Sequence, residues 1–150
     1  MATARTTTWA RSLRRLATVV GLAAMVAAGG AVFASPASAG THCDSGYHCL
    51  FWNGFNSARH IYFNSDPKFT DDYFNSTAYG TDGYGRVVND NAFSASNSSS
   101  GGYYSKYYLD INSGGGMLFC VKPGSQVQQL TDTLYASSLA LSTTNPGSCY

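Results

Sequence analysis

The chain is 150 residues long, with a formal charge of +1, only 11% charged residues and 44% hydrophobic ones. That is about one domain's worth of chain, and it carries no basic footprint of a nucleic-acid binder.

Residues 1–39 read as a secretory signal peptide. Arg5, Arg11, Arg14 and Arg15 precede an apolar run from Leu16 to Phe33, and Ala37-Ser38-Ala39 then offers a small-residue cleavage site before Gly40. The residues after Arg14-Arg15 fit a twin-arginine signal poorly. A secreted, extracellular protein of residues 40–150 is expected, with no membrane attachment after cleavage. That segment keeps five Lys and Arg against eight Asp and has no Glu, a formal charge of −3. Neither nucleic acid nor a polybasic membrane contact suits it.

Cys43, Cys49, Cys120 and Cys149 all follow the leader. An even count in a short exported chain points to two disulfides, with three pairings open. Cys43–Cys49 closes a short turn through Asp44-Ser45-Gly46 and leaves Cys120 to Cys149, so this pairing is favoured.

Aromatic and β-branched runs broken by Gly, Asn, Asp and Ser predict short strands. They fall near Tyr47–Trp52, Ala58–Phe63, Ala92–Asn97, Tyr103–Asp110, Met117–Val121, Gln126–Leu130 and Ser137–Ser142. Seven strands in this length favour a sandwich or small barrel. Asn64–Arg86 is polar and irregular, with room for one helical turn. Ser94–Gly102 reads as a Ser/Gly-rich linker between two halves that loosely repeat the same order of features.

The segments CDSGYHCLF, NDNAFSASN and FCVKPGS with a downstream SSLALS resemble the secreted actinobacterial proteins of peptidase inhibitor family I36. The resemblance covers Cys43–Cys149. It implies an all-β fold, two Greek-key units forming a βγ-crystallin-like sandwich, disulfide-stapled. In the crystallin pattern an aromatic residue, six others and a Gly mark a hairpin folded over the sheet, fastened by a later Ser. Tyr108, Gly115 and Ser137 fit this. In the first half the count from Phe51 lands on Ala58, so that hairpin is displaced towards Gly54 or shaped otherwise.

The resemblance also implies sites. Asp90, Asn91 and Ser94 keep most of a crystallin calcium motif, whereas Thr133-Leu134 replaces the acidic pair in the second half. The one cofactor raised is therefore a weakly bound Ca²⁺. The family's inhibitory bond maps to Cys120-Val121, followed by Lys122, which makes an extracellular metalloprotease the expected partner. A rigid loop binds such an enzyme at low entropic cost.

Enzyme signatures are absent: there is no G-x-S-x-G elbow and no H-E-x-x-H. His42, His48 and His60 show no metal-ligand spacing and read as surface or turn histidines. The chain is read as a non-enzyme. Two alternatives to inhibition stand beside it. One is a cell-surface or cell-wall polysaccharide-binding module using exposed tyrosines. The other is a crystallin-like killer toxin or structural protein. Alternation along Tyr103–Tyr108 puts Tyr103, Ser105 and Tyr107 on one face and Tyr104, Lys106 and Tyr108 on the other.

Overall fold

The computed structural model describes residues 42–130 and 135–150. The predicted signal segment 1–39 and the pair Thr133-Leu134 lie outside the described residues. Seven short strands form, each where an aromatic or β-branched run predicts one: β1 His48–Phe51, β2 Arg59–Tyr62, β3 Ser94–Asn97, β4 Tyr104–Tyr108, β5 Met117–Val121, β6 Gln126–Val127 and β7 Ser138–Ser142. They make two antiparallel sheets, ordered β2-β1-β3-β6 and β5-β4-β7. Among the described residues the only helical pieces are short 3₁₀ turns.

The third segment of each half crosses to the other half's sheet. β6 pairs with β3, with Ala95 opposite Val127. In return, Asp66 bridges Leu139 on β7, through two backbone hydrogen bonds of 2.8 Å. This reciprocal exchange interlocks two Greek keys into the βγ-crystallin-like sandwich expected from the sequence.

The core lies between the sheets. Leu50, Phe69, Phe74, Val88, Tyr107, Val121 and Leu139 are buried there. Tyr107 stacks on Phe119 with ring centroids 4.4 Å apart. Strand alternation sends Ser105 and Tyr107 inward and leaves Tyr104, Lys106 and Tyr108 half-buried on the outer face.

The expected disulfides form, Cys43–Cys49 and Cys120–Cys149. The irregular stretch after Asn64 holds a 3₁₀ turn at Phe69–Asp71 and isolated bridges from Tyr73 to Val87 and from Arg59 to Ser76. The expected linker differs more. Ser94–Asn97 is β3, hydrogen-bonded to β1 on one side and β6 on the other, and Ser98 and Ser99 are buried too. Small side chains fit here because the strand is packed from both sides; composition alone reads the same residues as flexible. Only Ser100–Gly102 remain exposed.

The second hairpin folds where the Tyr108–Gly115 spacing puts it, and the first is the displaced form that turns at Gly54. In the second, Gly115 takes φ +66°, and a Cβ there would sit 2.6 Å from Asp110 Oδ2 and 2.9 Å from Leu109 Cβ. Glycine meets both demands at once. The fastening hydroxyl is that of Ser138, not Ser137: it donates to the Asp110 carbonyl (2.7 Å) and accepts from the Ser113 N–H (3.0 Å). Ser137 instead points to Asp90 Oδ1, 3.5 Å away. In the first hairpin Gly54 supplies the positive φ (+73°), and Ser57 closes it by donating to the Gly54 carbonyl and accepting from the Asn53 N–H.

Candidate functional site

A solvent-accessible groove of about 420 Å³ opens at the seam between the two halves. That size lies within the usual range of ligand sites, about 300–1,000 Å³. Each wall follows from the fold. His48 comes from β1, Phe63, Asn64 and Ser65 from the chain leaving β2, Ser99 from the crossover after β3, Tyr103 from just before β4, and Leu141 from β7.

Asn97 shapes the crossover. Its Nδ2 donates to the carbonyls of Tyr103 (2.8 Å) and Val121 (2.9 Å), and its Oδ1 accepts from the Ser99 N–H (3.0 Å). Ser99 Oγ in turn accepts from the Tyr103 N–H. The amide of a fully buried Asn97 therefore holds both ends of Ser99–Tyr103, while Ser98 continues the pairing of β3 through backbone hydrogen bonds with Tyr47 and Gly46. Gly101 lies directly against the Tyr103 ring, where a Cβ would meet ring carbons at 3.1 Å. Tyr103 is thus backed by main chain while 45% exposed.

Phe63, which also lines the groove, is 64% exposed and leans on Tyr47, ring centroids 5.3 Å apart. Ser65 Oγ accepts from the Leu141 N–H (2.9 Å), which pins the chain after β2 to the edge of β7. Two exposed aromatic residues and several hydroxyl and amide side chains therefore line one opening.

His48 forms the floor. It is 1% exposed, and its Nδ1 lies 2.7 Å from Ser105 Oγ, so one hydrogen bond ties the two sheets together. Burial lowers its pKa from 6.5 to about 4, so the ring is neutral at neutral pH. His48 is therefore not the surface or turn histidine that its sequence context suggests; alternation within a central strand turns it inward. His60 is half-buried, with Nδ1 2.7 Å from the Tyr73 carbonyl and Nε2 3.8 Å from Asp72 Oδ1. Asp72 accepts from the Tyr62 hydroxyl at 3.0 Å, and desolvation raises its carboxyl above the usual carboxylate range.

The predicted calcium residues are only partly gathered. Asp90, at φ +59°, faces Ser137, and Asn91 Nδ2 donates to the Asn89 carbonyl. Ser94 is buried in β3 and its hydroxyl donates to the Gln128 carbonyl. Among the described residues no group of three His, Cys, Asp or Glu side chains gathers as a metal cluster.

The predicted inhibitory segment lies elsewhere than in a loop. Cys120 and Val121 are the last residues of β5, 1% and 0% exposed, paired with Lys106 and Ser105. A peptide bond inside a paired, buried strand does not reach a protease cleft. Lys122 is exposed and begins the turn to Ser125, closed by the Ser125 N–H to the Lys122 carbonyl at 3.1 Å. The Lys122 N–H donates to the Tyr150 carbonyl, the Tyr150 N–H donates to the Cys120 carbonyl, and with the Cys120–Cys149 bridge they brace the base of this turn.

Of the groove residues, sequence reading offers Tyr103 alone as a binding residue and names His48 only as a surface or turn histidine. Phe63, Asn64 and Ser65 follow a strand end in a polar run, and no local signal marks such residues as a wall.

No protein-family model matches the chain, and no curated protein is similar to it. Among solved structures, one described as "Evolution of the eye lens beta-gamma-crystallin domain fold" is similar, with a TM-score of 0.48 and 17% identity over 67% of this chain and 89% of that one.

Proposed function

We propose that the protein is an exported, non-catalytic binding module that recognises polysaccharide, such as a cell-wall glycan, through the groove at its seam. One observation carries this reading: Phe63 and Tyr103, both exposed, line one groove together with Asn64, Ser65 and Ser100. A sugar ring has an apolar C–H face and a rim of hydroxyls, and aromatic faces with amide and hydroxyl partners match both. The two disulfides among the described residues suit an oxidising, extracellular setting.

The test is retention of the purified protein on insoluble peptidoglycan, chitin and cellulose, with and without Ca²⁺. Retention on at least one is expected, together with a tenfold or greater loss in Phe63→Ala and Tyr103→Ala. Both side chains are exposed, so unchanged melting of the variants separates lost binding from lost fold. No retention on any polymer would sink the reading.

A second reading, protease inhibition, is favoured by the braced turn at Lys122–Ser125. Here the part offered to a protease is Lys122 and the turn, not the Cys120–Val121 bond. In a panel of thermolysin-like, subtilisin-like and trypsin-like proteases this reading expects inhibition that Lys122→Ala weakens. Inhibition that survives Lys122→Ala would place the contact elsewhere.

A further inference from the structure

The charge of the groove narrows the class of glycan. Among the described residues that line it, none is Asp, Lys or Arg. The only titratable groups among them are the imidazole of His48 and the phenol of Tyr103. His48 is neutral at neutral pH, its ring buried and engaged with Ser105. The remaining side chains there are the amide of Asn64, the hydroxyls of Ser65, Ser99 and Ser100, the rings of Phe63 and Tyr103, and the apolar side chain of Leu141. Beyond the groove, residues 42–150 carry eight Asp against five Lys and Arg, an excess that repels polyanions and attracts polycations at long range, both screened by salt, so selection against cations rests on the groove itself.

Resting on the polysaccharide-binding reading of the same site, we infer that the groove takes an uncharged pyranose chain and discriminates against anionic and cationic ones. A charged sugar entering it gives up hydration water and finds no counter-charge, which penalises binding by desolvation. An uncharged sugar gives up hydroxyl hydration and regains it from amide and hydroxyl partners, while its C–H face covers Phe63 or Tyr103. The aromatic walls provide affinity, and the absence of fixed charge provides selection.

The shared chemistry, an uncharged pyranose chain, has at least two sources: N-acetylated amino-sugar polymers and plain glucans. Calorimetric titration at about pH 5.5 and about 0.15 M salt with four tetrasaccharides separates them and tests the inference, since there amines are protonated, carboxylates ionised and long-range fields screened. The set comprises chitotetraose, cellotetraose, fully deacetylated chitotetraose as the cation and tetragalacturonate as the anion. Binding of chitotetraose or cellotetraose at least tenfold tighter than either charged chain is expected, and which of the two binds identifies the source. In Asn64→Lys, an exposed position, tetragalacturonate should gain affinity and the uncharged chain should not.

Charged chains binding as tightly as uncharged ones, with the same sensitivity to Tyr103→Ala, would overturn the inference and leave the polysaccharide-binding reading standing. Binding of none of the four, in a protein that also fails to be retained on insoluble polymer, would overturn both.

Discussion

His48 shows how much one side chain can carry in this fold. Its ring sits in a central strand of one sheet and bonds Ser105 in a central strand of the other. Its pKa is 6.5 when exposed and about 4 in the fold, so between these values the unfolded chain binds a proton that the folded chain does not. Stability is therefore full above about pH 6.5 and falls as pH drops towards 4, by about 3 kcal/mol for this group. The raised carboxyl of Asp72 works with the opposite sign, since there the fold holds the proton more tightly. Urea midpoints measured from pH 7 to pH 4 should fall for the wild type and fall much less for His48→Gln, whose amide keeps a hydrogen-bonding group beside Ser105. Equal falls in the two proteins would move the effect to another group.

At the scale of the element, the folded hairpin between β4 and β5 is the feature whose sequence signature is most specific. Gly115 is required twice, by a positive φ and by the closeness of Leu109 Cβ, so Gly115→Ala should cost about 1–3 kcal/mol. The two serines at the start of β7 make a sharper comparison. Ser138→Ala removes a donor from the Asp110 carbonyl and an acceptor from the Ser113 N–H, and should cost about 1–3 kcal/mol. Ser137→Ala loses only a 3.5 Å contact with Asp90, so its cost should stay within about 0.5 kcal/mol. Chemical denaturation of both variants checks the order, and a larger loss from Ser137→Ala would reassign the fastener.

For the whole molecule, the exchange of third segments means that neither half closes its own sheet. The Cys120–Cys149 bridge then ties the chain's last residues to β5 across a separation of 29 residues, whereas Cys43–Cys49 spans 6. Loop-closure entropy makes the first worth about 3–4 kcal/mol and the second about 2. Replacing each pair by Ala should lower the melting temperature in that order, and the reverse order would show that the short bridge braces the N-terminal turn more than entropy alone predicts. The same interlocking places the groove, because its walls come from β1, the chain after β2, the crossover and β7. Without the exchange, Phe63 and Tyr103 would belong to separate units.

Local signals in the sequence determined the strands, the folded hairpin at Tyr108–Gly115 and the all-β class. Alternation, turn residues and glycine chemistry act over a few residues, and a linear reading captures them. The spacing of the four cysteines likewise led to the pairing seen in the fold. Only the tertiary structure decided which serine fastens the hairpin, since Ser137 and Ser138 are adjacent and differ only in the face of β7 they occupy. It also decided between strand and linker for Ser94–Asn97, which both readings covered, and closed Cys120 and Val121 inside β5, because burial depends on what packs from either side. Above all it assembled the groove. Phe63, Ser99, Tyr103 and Leu141 are scattered along the chain, and only the crossing of the third segments brings them to one seam.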